Sequence, residues 1–220
     1  MDGRRARWAR IWNAAVCLMI VTALIVQLGL VIRGHNVLVV DGQKPATATR
    51  VVRFFSYFTV QSNIFVALTC GWLAVRPAAD GDPFRVLRLD ALVGISVTGV
   101  IYVTLLRPIV NLSGIPKLTD IAFHYLAPIL TVIGWLLFGP RPRVGERTLA
   151  WSLVWPALYV AYVLLYGAVT DWYPYPFIDA KALGYVPALR NGVGILLLLL
   201  GVGVLYRWAD RWLGQRDPLG

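Results

Sequence analysis

The stretch that decides the fold is IAFHYLAPILTVIGWLLFG, residues 121–139. It is apolar apart from one histidine, His124, and its length falls within the roughly 17–25 residues that a helix needs to cross a bilayer. An ionisable side chain inside a membrane span is costly and rare, so by default it marks a functional site. The stretch therefore predicts a membrane helix that carries a functional histidine.

The composition of the whole chain indicates a helical membrane protein. Of the 220 residues, 58% are hydrophobic and 15% are charged, against about 25% charged in soluble domains, and the mean hydropathy is +0.66. No strand-length alternation of apolar and polar residues indicates a barrel. We predict an all-α fold, with residues 1–220 forming a single six-helix transmembrane domain. Charges bracket its spans, at about 11–33, 53–75, 89–107, 119–139, 148–170 and 190–207.

The distribution of Lys and Arg predicts the orientation. The side that holds both termini carries 13 of the 21 basic residues, and the opposite side carries 8. Because cytoplasmic loops are enriched in Lys and Arg, we expect a multi-pass protein of the cell membrane with both termini in the cytoplasm. The net charge of +10 does not indicate nucleic acid as a partner, since the basic residues are spread through the loops and form no patch. Membrane lipids are the expected partners.

A second span is unusually polar where it starts. Residues 55–63 read FSYFTVQSN, and Thr59 lies six residues in from the outer end at Arg53, or about 9 Å at 1.5 Å per residue. His124 lies five residues in from Thr119 on the same side, or about 7–8 Å. Two separate spans are therefore predicted to bring Thr59 and His124 to one depth in the outer leaflet.

A hydroxyl and an imidazole at one depth predict nucleophilic catalysis. Thr59 is a poor nucleophile unless a base takes its proton, and His124 is the usual kind of base near neutral pH. Asp120, four residues before His124, shares its helix face and is predicted to orient the ring, unless it is simply solvated near the interface. Asn63 and Ser62 share the face of Thr59 and are predicted to support an oxyanion or to hold the nucleophile. The structural alternatives are a threonine bonded to its own helix and polar side chains that join neighbouring helices.

Two further features lie near this layer. Pro128 follows His124 by four residues and is predicted to kink the span, either beside a cavity or for packing alone. The loop at 171–179, DWYPYPFID, is stiffened by alternate prolines. Tyr173, Tyr175 and Phe177 are predicted to line or gate a substrate cavity. Alternatively they belong to a belt of interfacial anchors.

No metal or cofactor is predicted. His35 and His124 are the only histidines. A metal or haem held between them is disfavoured, because the sequence around them does not offer the full set of carboxylate or cysteine ligands that such a site needs. Cys17 and Cys70 both lie in apolar spans, where a cysteine usually acts as a small buried hydrophobe.

Three segments resemble one known family. They are FFSYFTVQSN at 54–63, Asp120 with His124, Tyr125 and Pro128, and YPYPF at 173–177. They look like the bacterial six-span branch of the androgen-induced protein family, whose eukaryotic members include the androgen-dependent TFPI-regulating protein. Those relatives are integral-membrane hydrolases of fatty acid esters of hydroxy fatty acids that use a threonine and a histidine. The resemblance implies a nucleophile at Thr59 and a base at His124.

The sequence therefore predicts a membrane-embedded lipid ester hydrolase that uses Thr59 as nucleophile and His124 as base. The alternative is a non-catalytic lipid-binding or partner-organising membrane protein, in which the polar residues at 55–63 only join helices. A small-solute transporter is disfavoured, because the spans lack paired charges and an inverted repeat.

Overall fold

The computed structural model describes residues 3–34 and 45–215. The predicted all-α class is confirmed: over these residues there is no strand, and six helices are long and apolar enough to cross a membrane. In chain order the helices are α1 (Gly3–Ile32), α2 (Thr47–Phe55), α3 (Phe58–Val75), α4 (Asp82–Ile109), α5 (Gly114–Phe138), α6 (Glu146–Thr170), α7 (Ala180–Leu183) and α8 (Tyr185–Gln215), of which α2 and α7 are short. His35 of the disfavoured metal site lies outside the described residues, as do Lys44 and Arg216 of the charge count.

Three helices extend well beyond their predicted spans. The span predicted at 11–33 belongs to α1, which starts at Gly3. The span predicted at 89–107 belongs to α4, which starts at Asp82, and the span predicted at 190–207 belongs to α8, which runs from Tyr185 to Gln215. The apolar runs stop where charges begin, but the helices continue, because charged side chains near their ends find partners. Arg207 of α8, for example, pairs with Glu146 at 2.5 Å.

The predicted second span, 53–75, is not one continuous helix. Helix α2 ends at Phe55 and α3 begins at Phe58. The main-chain groups freed by the break are satisfied by side chains: the Gln61 amide donates to the Phe55 carbonyl at 3.0 Å, and the Phe58 N–H donates to the Tyr159 hydroxyl at 3.2 Å. A broken helix at membrane depth requires such partners. Part of the polar stretch at 55–63 therefore stabilises the break.

The helix ends form two faces of the bundle. On one, which we name the terminal face, Arg5 near the start of α1 donates to the Leu137 carbonyl near the end of α5. Near the end of α8, the Asp210 carboxylate accepts the main-chain N–H groups of Arg143 and Val144. Both ends of the described chain therefore lie on this face. The opposite face, which we name the site face, holds the α2–α3 break and the loop between α6 and α8.

Helices α3 and α4 form the centre of the bundle. Of their most apolar windows, 56% and 67% of residues are buried, against 22–39% for the other four long helices. Some of the polar side chains buried between helices pair across them: the Thr119 hydroxyl of α5 donates to the Gln27 amide oxygen of α1. Residues of α3 and α4 are therefore packed against neighbouring helices on several sides.

Candidate active site

Thr59 lies at the N-terminus of a helix. The break places it second in α3, where it is 8% exposed, whereas the sequence analysis placed it six residues inside a continuous span. The first N–H groups of a helix have no partner within it, and that of Thr59 donates to the Tyr175 hydroxyl at 3.3 Å. Because the N-terminal end of a helix is partially positive, negative charge is stabilised beside Thr59.

The helix that carries His124 widens at that residue. Ala122–Leu126 forms one π-helical turn, in which the Ala127 N–H donates to the Ala122 carbonyl. Pro128, four residues after His124, has no N–H to donate to the His124 carbonyl. The sequence predicted a kink at Pro128, and the structure has a π turn just before it. Gly99 of α4 packs against it: a Cβ at Gly99 would lie 3.1 Å from Pro128 Cγ and 3.5 Å from the His124 carbonyl oxygen. π turns of this kind occur frequently at functional sites.

Three side chains from two helices form a continuous chain of contacts. The Thr59 hydroxyl oxygen lies 3.3 Å from Nε2 of His124. On the other side of the ring, Nδ1 lies 2.9 Å from the Asp120 carboxylate and 3.1 Å from the Asp120 main-chain carbonyl. Both groups accept a hydrogen bond, so they favour the tautomer with the proton on Nδ1. Nε2 is then free to accept the Thr59 proton.

Tyr102 completes this arrangement, and the sequence analysis did not identify it. It begins a second π-helical turn, Tyr102–Leu106, near the end of α4. Its ring stacks on His124 with centroids 3.9 Å apart and planes 14° apart, and its hydroxyl donates to the Asp120 carboxylate at 2.5 Å. Tyr102 lies five residues before Arg107, so the depth argument applied to Thr59 and His124 would also have selected it.

The three aromatic residues predicted to line or gate a cavity have different positions. Tyr175 is buried, with its hydroxyl 3.4 Å from the Thr59 hydroxyl. Burial raises the pKa of Tyr175, so its hydroxyl keeps its proton at neutral pH. Phe177 stacks on Tyr175 with centroids 5.1 Å apart. Tyr173 instead packs against Gly167, in space that a side chain at Gly167 would fill.

Asn63 and Ser62 have partners other than the Thr59 hydroxyl. The Asn63 amide donates to the main-chain carbonyl of Thr59 at 2.8 Å, and the Ser62 hydroxyl accepts from Thr98 of α4 at 3.4 Å. Both are completely buried one turn below Thr59. They support the main chain of α3 and its packing on α4, whereas the donors beside the Thr59 hydroxyl are Tyr175 and the helix N-terminus.

Two cavities meet at Thr59. The first, named the histidine-side cavity, has a volume of about 60 Å³. Its polar lining residues are Gln27, Tyr57, Thr59, Tyr102, Asp120, His124 and Tyr175. The second, named the apolar cavity, has a volume of about 40 Å³ and lies between α4, α6 and α8. Thr59, Leu106 and Tyr175 line both cavities, so the hydroxyl of Thr59 stands at their junction.

Among residues 3–34 and 45–215, no group of three or more His, Cys, Asp or Glu side chains is arranged to hold a metal ion. Cys17 and Cys70 are both free thiols.

No family model, no curated protein and no solved structure matches this chain.

Proposed function

We propose that this protein is a membrane-embedded hydrolase of lipid carboxylic esters. The single observation that carries the proposal is the chain of contacts from the Thr59 hydroxyl through His124 to the Asp120 carboxylate, with distances of 3.3 and 2.9 Å. A hydroxyl, a base and a group that orients the base are the parts that nucleophilic catalysis requires. Their position between two cavities gives an ester room on both sides of the nucleophile.

The reaction has two halves. The Thr59 hydroxyl oxygen attacks the ester carbonyl carbon while its proton passes to Nε2 of His124. The tetrahedral intermediate then breaks its bond to the alcohol oxygen, which takes the proton from His124 and leaves an acyl group on Thr59. Water attacks this acyl-enzyme, again losing a proton to His124, and the carboxylic acid leaves as Thr59 regains its proton. Asp120 holds the ring and stabilises the imidazolium in both halves.

The oxyanion is best stabilised by the Thr59 main-chain N–H and the Tyr175 hydroxyl. The two groups are 3.3 Å apart and lie beside the reacting hydroxyl. The partially positive end of α3 adds to their effect. We assign them this role in place of Asn63 and Ser62, whose partners lie one turn deeper.

A groove between α4 and α5 supports a lipid as substrate. His124 lines this groove, and Val100, Val103 and Ile129 along its walls are each more than half exposed. In a membrane such apolar walls face the acyl chains of lipids. A lipid ester can therefore approach His124 laterally.

Matched variants of Thr59 and His124 test the proposal in detergent-solubilised protein. Wild type should hydrolyse an activated ester and should be labelled on Thr59 by a fluorophosphonate probe. Thr59→Ser should keep part of the activity and the labelling, and Thr59→Ala and His124→Ala should lose both. The alternative, a non-catalytic lipid-binding or partner-organising protein, predicts no labelling of any variant. It also predicts a stability loss of only about 0.6 kcal/mol for Thr59→Ala, the average for one membrane hydrogen bond.

We further propose that the protein is a multi-pass component of the cell membrane with the terminal face in the cytoplasm. The bias of 13 basic residues against 8 supports this orientation. Single cysteines at Lys181 on the site face and at Arg211 on the terminal face, with Cys17 and Cys70 replaced by Ala, test it. On intact cells an impermeant maleimide should label Lys181→Cys and leave Arg211→Cys unlabelled, and the reverse pattern would exclude the orientation.

The resemblance of three segments to the androgen-induced protein family fits the same proposal. Thr59 and His124, the positions that match the catalytic threonine and histidine of that family, are in contact. We propose membership of its bacterial branch, which adds fatty acid esters of hydroxy fatty acids to the lipid esters to be assayed.

A further inference from the structure

The position of Thr59 between two cavities separates the two halves of an ester. During hydrolysis His124 must protonate the leaving alcohol oxygen, so that oxygen must lie on the His124 side of the attacked carbon. His124 lines the histidine-side cavity, whereas the apolar cavity lies on the other side of Thr59 and Tyr175. The alcohol part of the substrate therefore belongs in the histidine-side cavity, which leaves the apolar cavity for the acyl chain.

The lining of the two cavities agrees with this division. The histidine-side cavity presents Gln27, Asp120 and His124 to the part of the substrate that becomes an alcohol. Beyond Thr59 and Tyr175, the apolar cavity is lined mainly by aliphatic side chains, including Val160 of α6 and Ile195 and Leu199 of α8. An unsubstituted acyl chain has no group that needs a polar partner there.

The size of the apolar cavity limits the acyl chain. Its volume is about 40 Å³, and a water-sized group needs roughly 10–15 Å³ of such space, so it holds about three or four groups of that size. A methylene is of similar size, so an acyl chain of roughly four carbons fills the cavity, and a longer chain has to extend past or displace side chains that line it, such as Ile195 and Leu199.

We propose that the apolar cavity binds the acyl chain and that Ile195 sets its length, so that the substrate is a short-chain ester of a lipid alcohol. This inference rests on the proposed hydrolase function. It predicts that esters of long-chain acids, fatty acid esters of hydroxy fatty acids included, are poorer substrates than short-chain esters of the same alcohol.

The test compares Ile195→Phe and Ile195→Ala with Leu197→Phe, a matched control whose side chain is 62% exposed on the same helix. The substrates are 4-nitrophenyl esters from acetate to decanoate, and the readout is kcat/KM for each. Wild type should prefer butanoate to decanoate by at least about tenfold. Ile195→Phe should lose about fourfold for each methylene it excludes, so that the loss grows with chain length and is smallest for acetate. Ile195→Ala should move the optimum towards longer acids, and Leu197→Phe should behave as wild type.

A second series separates the two cavities. With the acyl group held as butanoate and the alcohol varied, the Ile195 variants should show the wild-type preference, whereas Val110→Phe in the histidine-side cavity should change it. Hydrolysis whose acyl preference is the same in wild type and Ile195→Ala would overturn this inference and leave the hydrolase function standing. So would a wild-type optimum at decanoate. No hydrolysis of any ester by folded wild type would overturn both.

Discussion

Replacing Tyr175 with Phe removes one hydroxyl from the centre of the proposed site. That hydroxyl accepts the Thr59 N–H at 3.3 Å and lies 3.4 Å from the Thr59 hydroxyl oxygen. The ring of Tyr175 remains packed between Tyr57 and Phe177, because Phe preserves its shape. The variant therefore tests the hydroxyl as an oxyanion donor with little change in the shape of either cavity.

Catalysis and stability should respond by very different amounts. Loss of one oxyanion donor costs about 10²–10³ in kcat, or roughly 2.7–4 kcal/mol in the barrier. The distances from the Tyr175 hydroxyl to the Thr59 nitrogen and hydroxyl oxygen, 3.3 and 3.4 Å, are long for hydrogen bonds. We therefore expect a loss at the lower end of this range, about 100-fold in kcat with little change in KM. The cost in stability should be only about 0.6 kcal/mol, the average for a hydrogen bond inside a membrane protein.

The assay is steady-state hydrolysis of 4-nitrophenyl butanoate by the purified variant, together with its unfolding midpoint. Tyr206→Phe is the matched control: Tyr206 is equally buried, and its hydroxyl bonds to Ser96 at 2.8 Å on helices α8 and α4, without contact to Thr59. The control should lose similar stability and keep its kcat. If Tyr175→Phe lowers kcat by less than about threefold, or only raises KM, the hydroxyl is not an oxyanion donor.

Three further predictions concern His124 and its surroundings. Asp120→Asn should lower kcat by about 10–100-fold. This is less than the roughly 10⁴-fold loss that follows when the tautomer of a triad histidine reverses, because the main-chain carbonyl of Asp120 still accepts a hydrogen bond from Nδ1. A change in KM with kcat unchanged would contradict the positioning role of Asp120. Pro128→Ala should let the π turn relax, displace the imidazole and cost about 100-fold in kcat. Pro83→Ala, at the start of α4 and outside both cavities, serves as the control, and unchanged kcat in Pro128→Ala would show that the π turn is dispensable. Because burial raises the pKa of Tyr175, its hydroxyl should remain a donor in mildly alkaline solution. The pH profile of kcat/KM should therefore show no alkaline fall there, and a fall that Tyr175→Phe removes would contradict the role of this hydroxyl as a donor.

The sequence was sufficient for the fold class, because a membrane span needs only length and apolar content to be recognised. It was insufficient for the helix boundary at Ser56 and Tyr57. No glycine or proline marks a break there, and the break depends on Gln61 and on Tyr159 of a distant helix to satisfy the freed main-chain groups. Partners from a distant part of the chain leave no periodic pattern in the sequence from which the break could be predicted.

Within the site, too, some features follow from the sequence and others do not. Thr59 and His124 were selected because depth along a helix follows from residue count, and the i, i+4 spacing of Asp120 and His124 places them on one face. Which helices are neighbours does not follow from depth, so the stacking of Tyr102 on His124 was not foreseen. Nor does depth fix how far a loop folds into the bundle, and only the structure shows that the hydroxyl of Tyr175 reaches Thr59.

The measurement that tests the central claim most directly is the mass of Thr59 during turnover. Wild-type protein and the His124→Ala variant are mixed with 4-nitrophenyl butanoate, quenched in acid within the first turnovers, digested and mapped by mass spectrometry. The account predicts a butanoyl ester on Thr59 in wild type and none in the variant. An acyl group on another residue, or ester hydrolysis by wild type with Thr59 unmodified at every time point, would contradict it.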